Sequence, residues 1–440
     1  MKVVSLFFAL FISIFSNAQN AFEIQDGKKL SIPFKLINNL IFIQIEVNGV
    51  DLTFFVDSGV HETTIFSLED KNLTLSNLEK MTFTGLGSSG SIEGFKSENN
   101  VAKIGKNFVN KSFAFYIISD PEFNISSHIG IPVNGIIGYH FFKDHQIVID
   151  YEAKKMIVYF DSQKFQSKTK KFEQFPITIE KFKPYLEADV EMTKERKPSK
   201  LLLDLGNTDA IWLFPKLIKD FVYNRPNIDD YLGRGFNGDV YGKRSRIHHL
   251  YIGKFAFEKP LTAMPDEYSI QHLNLVQDRK GSIGSEILRR FTVVFDYKNQ
   301  KIYLRKNRNF DDPFHFNMSG LDFKQDGLQW EQDLMPVETK KNPNQQGTEV
   351  INNSLQYKFV LKPIFSIAGV RKDSPGALAG LQKDDVLIMI NGKKTSDMTL
   401  QKINDLMKSE EGRTIELDIT RKFKKMTIRF VLEDPIPYQD

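Results

Sequence analysis

Phe54-Phe55-Val56-Asp57-Ser58-Gly59 is an apolar run that delivers a carboxylate onto a Ser-Gly corner, after which Thr63, Thr64, Ile65 and Phe66 resume a strand-like pattern. Leu201-Leu202-Leu203-Asp204-Leu205-Gly206 repeats the arrangement, with Ala210, Ile211 and Trp212 behind it. Two Asp-x-Gly corners, each at the end of a buried-looking strand, imply two carboxylates brought face to face. A lone Asp-Ser-Gly is ordinarily a turn that ends a strand. A matching frame around both corners makes it more than that.

The frame is present. Gly85, Gly87, Gly90 and Gly94 correspond to Gly233, Gly235, Gly238 and Gly242 at a constant offset of 148, which also carries Ile104-Gly105-Lys106 onto Ile252-Gly253-Lys254. Ile136-Ile137-Gly138 matches Ser282-Ile283-Gly284 at an offset of 146, and so does Val148-Ile149-Asp150-Tyr151 against Val294-Phe295-Asp296-Tyr297. An ordered series of this kind marks a duplicated β-rich lobe, expected at 19–165 and again at 166–308. Within the first lobe, Ile41, Ile43, Ile45 and Val47 alternate up to the hairpin signal Asn48-Gly49, and the chain returns through Leu52, Phe54 and Val56 to Asp57. In the second, Tyr185 to Met192 and Lys200 to Leu203 take the same parts around a charged turn at Lys194 to Lys197. Asp161 to Lys171, polar and without a period, is expected to be the connection between the lobes.

Composition excludes several classes. The 440-residue chain has a net charge of only +4 with Lys/Arg mixed among Asp/Glu, so no nucleic-acid surface is expected. With 38 Phe and many Ile and Val it leans toward β-structure. The absence of cysteine excludes disulfides, thiolate metal sites and a cysteine nucleophile. Lys2, the apolar run Val3 to Phe15 and the small-residue site Ser16-Asn17-Ala18 read as a secretory signal over 1–18. Export to the periplasm or cell envelope of a bacterium is therefore expected. His140 and His145, and the adjacent His248-His249, lack a helical zinc spacing and read as scattered loop residues, so no metal or other cofactor is expected. The two glycine runs satisfy G-x-G-x-x-G, but Gly94 and Gly242 follow too soon for the helix a dinucleotide fold needs. Both read as hairpin tips, the first (Gly85, Gly87, Ser88, Gly90) as a flap over a cleft.

Two opposed carboxylates cannot both ionise at close range, so they share one proton. One then acts as a general base on water while the protonated one polarises a carbonyl. At this point the chain resembles the aspartic protease superfamily, with retropepsin-like lobes joined in a pepsin-like bilobal chain, over about 41–305. The resemblance implies Asp57 and Asp204 as the catalytic pair, shaped by Ser58, Gly59 and Gly206. It also implies that Gly138 and Gly284 lie on strands passing behind the corners. In that family the hydroxyl residue after each Asp locks the opposite corner. Ser58 can do this; Leu205 departs from the pattern and cannot, leaving Asn207 or Thr208 as possible substitutes.

The tail over 312–435 has another character. Ser374-Pro375, Ala379-Gly380-Leu381, Asp384-Asp385-Val386-Leu387 and Ile390-Asn391-Gly392 resemble a PDZ domain of the bacterial envelope-protease kind. Leu400, Ile403, Leu406 and Met407 follow at helical spacing, then two alternating strands around 414–420 and 427–432. The resemblance implies that the backbone of Ser319-Gly320-Leu321, before the strand containing Phe323, receives a peptide's C-terminal carboxylate. Residues 338–353 are polar and aperiodic and are expected to be a mobile loop. The fold class expected is mostly β: two acid-protease-like lobes plus a small α+β PDZ barrel. The activity expected is hydrolysis of peptide or protein substrates, with protein C-termini as PDZ partners. The rival is a catalytically silent peptide-binding scaffold that uses the same cleft and groove.

Overall fold

The computed structural model describes residues 21–438 apart from 69–70, 76, 85–90, 119–120, 193–194, 219–220, 222, 236–237, 271–274 and 336–355. The signal at 1–18, the first glycine-rich tip and the expected mobile loop at 338–353 therefore lie outside the described residues. Among those described, the chain is mostly β. A nine-stranded sheet comes from the first half, a ten-stranded sheet from the second, a six-stranded sheet is shared, and another six-stranded sheet lies C-terminal.

The shared sheet displays the duplication most directly. Its strands run Glu173–Pro176, Lys301–Lys306, Phe291–Asp296, Gln146–Asp150, Lys155–Tyr159 and Lys29–Pro33, three contributed from each side of the centre. At the centre Val148 pairs with Val294, the residue that the repeat makes its equivalent. A pseudo-twofold axis therefore passes between them, and it relates the two Asp corners.

Each corner is built the same way. Strand Leu40–Val47 pairs with Val50–Val56 across Asn48-Gly49, whose φ values of 47° and 84° suit Asn and Gly. The second hairpin pairs Lys183–Glu191 with Arg196–Asp204, and its turn comes two residues earlier than expected because Arg196 and Lys197 already belong to the ladder. Behind the corners, Gly135–Ile137 runs parallel to Val50–Val56 with Ile137 opposite Val56. Likewise Arg279–Gly284 runs parallel to the second strand with Gly284 opposite Asp204. Strands enclosed on both faces must be apolar throughout, and Val56, Ile137, Leu203, Leu205 and Ile283 are all fully buried in one continuous core.

One connection differs from its reading. Residues Ser162–Thr169 form a two-turn helix rather than an aperiodic linker. Asp161 caps it by accepting from the amides of Gln163 and Lys164, and Phe165 and Thr169, four apart, face the protein. The polar composition concealed a short helix that needs only two inward positions.

In the C-terminal unit the helix Leu400–Met407 buries Leu400, Ile403 and Met407 along one side, as the spacing predicts. Strands Thr414–Arg421 and Lys424–Val431 follow. Strand Leu321–Met335 pairs with Gln356–Val370 out to Met335 opposite Gln356, forming a long β-ribbon. Leu328, Trp330, Phe359 and Leu361 are exposed on it. The unit meets the first lobe where the Asn38 amide donates to Gln401 Oε1.

Candidate active site

The two corners interlock at the axis. Ser58 Oγ donates to Leu203 O at 2.7 Å and accepts from the Leu205 amide at 3.0 Å, so the first corner grips the strand that presents Asp204. Gly59 N donates to Asp57 Oδ1 at 2.7 Å and Gly206 N to Asp204 Oδ1 at 3.0 Å, each corner aiming its own carboxylate. Close approach explains the glycines. A Cβ at Gly206 would sit 2.3 Å from Asp57 Oδ2, and one at Gly59 would sit 3.1 Å from oxygens of both Asp57 and Asp204. The Gly strands are equally tight: a Cβ at Gly138 would fall 2.1 Å from Val60 O and one at Gly284 2.2 Å from Asp209 O. Asp57, Asp204, Ser58, Gly59, Gly206, Gly138 and Gly284 are therefore brought to one place. Of the flap residues, only the flanking strands are described: Leu78–Thr84 pairs with Ser91–Ile104, Thr84 opposite Ser91. Around the second glycine run, Ile228–Gly235 pairs with Gly238–Arg246 as a hairpin, Gly235 opposite Gly238.

Leu205 leaves its own arm of the grip unmade. Asn207 does not supply it; its Nδ2 is buried without a partner. The second corner itself is held further by residues the sequence did not single out. Ser285, next to Gly284 on the supporting strand's end, donates its hydroxyl to Leu205 O at 2.9 Å. Ser285 N donates to Asn207 O at 2.7 Å. From the other lobe, Asn39 Nδ2 donates to Thr208 O at 3.2 Å and to Glu286 Oε2 at 2.7 Å. The only sequence signal for Ser285 was its place directly after the Gly.

The electrostatics separate the two acids. Burial and then the neighbouring Asp204 charge push Asp57 up to about 7. Burial also raises Asp204, but the Arg279 guanidinium and the Lys183 ammonium oppose the rise. Arg279 is held by Gly281 O at 3.1 Å and Ser282 Oγ at 2.8 Å. Arg279 and Lys183 both favour the ionised form of Asp204, so the pair shares one proton with the negative charge drawn toward Asp204. Burial in turn pushes the Lys183 ammonium below its ordinary value.

His145 stands apart, its Nε2 2.8 Å from Phe22 O, but His140, His248 and His249 are not scattered. His61 Nδ1 lies 3.0 Å from Glu62 Oε1, and His140 Nε2 3.5 Å from Glu62 Oε2, beside the first corner. On the second lobe Glu191, directly opposite His249 in the ladder, stands 2.9 Å from His248 Nδ1. Each group could offer three donor atoms to a metal ion. The sequence missed both because the acid comes from a different strand or loop than at least one imidazole.

In the C-terminal unit, the amides expected to receive a carboxylate are engaged within their own loop. Ser319 N and Gly320 N donate to Asn317 Oδ1 at 3.1 and 3.2 Å, and Leu321 N donates to Ser319 Oγ at 3.1 Å. Gly320 has φ +70°, and a Cβ there would lie 2.1 Å from Ser374 Cβ. Phe323 is buried in the core of this unit.

Comparison with known proteins matches two regions of the chain. Residues 43–141 match the aspartyl protease family, and residues 366–421 match the PDZ domain family. Among solved structures, the aspartic proteinase from Irpex lacteus superposes with a TM-score of 0.42 at 12% identity, covering 64% of this chain and 99% of that one. No curated protein matches the chain. The chain thus carries an aspartyl-protease-like region whose first Asp corner lies within 43–141, followed by a PDZ domain.

Proposed function

We propose that the protein is an exported aspartic-type endopeptidase. The observation that carries this reading is a pair of carboxyls, Asp57 and Asp204, presented face to face by two Asp-x-Gly corners that interlock through Ser58. Asp204 takes a proton from a water held between the acids, and the water oxygen bonds to the scissile carbonyl carbon. Asp57 donates its proton to the carbonyl oxygen, giving a neutral gem-diol. Collapse of the diol breaks the C–N bond: the nitrogen takes the proton held on Asp204, and a hydroxyl proton returns to Asp57. The Gly-lined approach of the corners keeps the pair within reach of one water, and Ser58 holds the corners in register.

The PDZ domain belongs to this reading as a site for peptide or protein chain ends. The loop at 319–321 would open for a carboxylate by releasing Asn317 Oδ1 and Ser319 Oγ. Export rests on the signal-like pattern Lys2 to Ala18.

The test is cleavage of a peptide library between pH ~3 and 7 by the secreted protein, with a statine-type inhibitor as control. Activity is expected to be inhibitor-sensitive and to fall ~10²–10⁴-fold in Asp57→Asn, the range ordinarily contributed by a positioned acid or base. No cleavage of any peptide over that range would leave a silent peptide-binding scaffold as the better description.

A further inference from the structure

Each lobe sends a hairpin tip across to the opposite corner. In the first lobe the tip is Asn38-Asn39, between Lys35–Ile37 and Leu40–Val47. In the second it is Lys181-Phe182, between Thr178–Glu180 and Lys183–Glu191. All four residues have positive φ (49°, 66°, 47° and 63°), the geometry of a two-residue turn that projects its side chains outward. Phe182 lies flat on the His61 ring at 3.7 Å, one residue beyond Val60 at the first corner. Its counterpart Asn39 reaches Thr208 O and Glu286 at the second corner. The two contacts are related by the pseudo-twofold axis, but they are chemically different: an aromatic stack beside the corner that carries Ser58, a hydrogen-bonded clamp on the corner that carries Leu205.

The clamp is anchored at both ends. Glu286 is held by Arg289 at 2.7 and 2.8 Å and by Arg290 at 2.8 Å, and it sits on the helix Ser285–Leu288 whose Ser285 holds Leu205 O. At the other end Gln401, on the PDZ helix, accepts from the Asn38 amide, and Asn404 Nδ2 donates to Asn38 Oδ1 at 3.4 Å. Gly130 of the first lobe packs beside this helix, where a Cβ would lie 3.1 Å from Leu400 Cβ. A line of contacts therefore runs from the PDZ helix through the Asn38-Asn39 tip to the loop that presents Asp204.

We infer that Asn39 is a positioning residue for Asp204, bracing from the first lobe the loop that follows it, beyond the reach of the Ser58 grip, and that the PDZ helix fixes the tip from which Asn39 acts. The inference rests on the peptidase reading, but it concerns the geometry of the acid pair and is tested apart from cleavage. Gly takes positive φ freely, so Asn39→Gly removes the carboxamide without straining the turn. Asn39→Asp removes the donor and sets a carboxylate against Glu286.

For each variant the kcat and KM are measured, together with the titration of Asp57 by carboxyl-carbon NMR and a thermal melt to establish folding. Asn39→Gly is expected to lower kcat ~10–100-fold, the scale of a sub-ångström to 1 Å displacement, with KM within twofold. The Asp57 titration is expected to move to lower pH, because Asp204 is no longer held against it. Asn39→Asp is expected to exceed Asn39→Gly in both effects. A merely structural residue would lower the melt and leave the Asp57 titration in place. Folded Asn39→Gly with wild-type kcat and wild-type Asp57 titration overturns the inference. If wild-type protein cleaves nothing, the peptidase reading fails by itself, and an unmoved or displaced Asp57 titration still decides whether Asn39 holds the corner.

Discussion

Leu205 exchanges a hydrogen-bonding arm for an apolar side chain, and the magnitudes show why the fold tolerates the exchange. A hydrogen bond contributes about 0.5–1.5 kcal/mol net, whereas complete burial of a leucine contributes about 1.5–3 kcal/mol. Leu205 is fully buried in the main core. Stability is therefore kept, and what is given up is the restraint on the corner. Asp57 shows the opposite trade. An unfolded aspartate ionises at about 3.9, while in the fold Asp57 is pushed up to about 7. Between those values the folded chain binds a proton that the unfolded chain has released, so this group's effect on stability is to lower it as pH rises from about 4 to about 7. Above that window the cost is fully present; below it the cost is absent. Asp57→Asn removes the titration, and it also relieves Asp204 of a like charge. The variant is expected to melt higher than wild type at pH 8, by on the order of a few kcal/mol, since each tenfold change in proton affinity is worth ~1.4 kcal/mol. The gap should close toward pH 4. Calorimetry across that range measures it, and a gap that does not change with pH would mean that no shared, buried proton exists at Asp57.

Elements that repeat were legible in the sequence; elements that cross were not. The Asp corners, the Gly strands behind them and the Asn48-Gly49 hairpin follow from local chemistry and from a constant offset, so a single chain was enough to find them. The two tips carry weak or no signals: Asn38-Asn39 is a plausible turn, but Lys181-Phe182 with positive φ at both residues is not one a sequence announces. Their targets lie far along the chain, as Asn39 and Glu286 do, and only the pseudo-twofold axis brings them together. The helix Ser162–Thr169 did have a signal, Asp161 as its cap, outweighed by the polar composition. The loop at 319–321 shows a further limit: the pattern locates three amides but not what they bind. Asn317 engages two of them and also donates to Leu321 O at 2.8 Å. A carboxylate must therefore compete with a side chain already in place. Asn317→Ala is expected to bind a peptide with a free C-terminal carboxylate about tenfold more tightly than wild type, and the same peptide amidated no more tightly. Fluorescence anisotropy with both peptides decides it; equal gains for the two would mean that the loop does not receive the carboxylate.

Across the whole molecule, the PDZ domain touches both lobes, and its contact with the second is built around Arg246. That guanidinium, 11% exposed, donates to Ile436 O at 3.1 Å, to Phe314 O at 3.0 Å, to Lys259 O at 3.3 Å and to Asp434 Oδ2 at 3.2 Å. It thus ties the segments entering and leaving the PDZ domain to a turn of the second lobe. Close by, Arg244 holds Asp209 and Asp230, each at 2.6 Å, and Phe316 lies between the Arg244 and Arg371 guanidiniums at 5.6 and 5.2 Å. Burial and then Asp230 push the PDZ residue Asp322 up to about 6, against the pull of the Arg371 and Arg244 guanidiniums. Asp209 belongs to the second corner, which places the interface and the Asn38-Asn39 tip on the same target from two directions. Removing the Arg246 side chain strands three carbonyls and a carboxylate, each unsatisfied group costing about 1–3 kcal/mol where water cannot reach it. In wild type, domains tied this way are expected to unfold together. Arg246→Ala is expected to lower the first melting temperature and to split the calorimetric transition in two, the PDZ domain leaving before the lobes. It is also expected to lower kcat with little change in KM, because a released PDZ helix no longer holds Asn38. A single transition at the wild-type temperature would show that the two regions fold and act independently, and the PDZ helix would then have no part in setting Asp204.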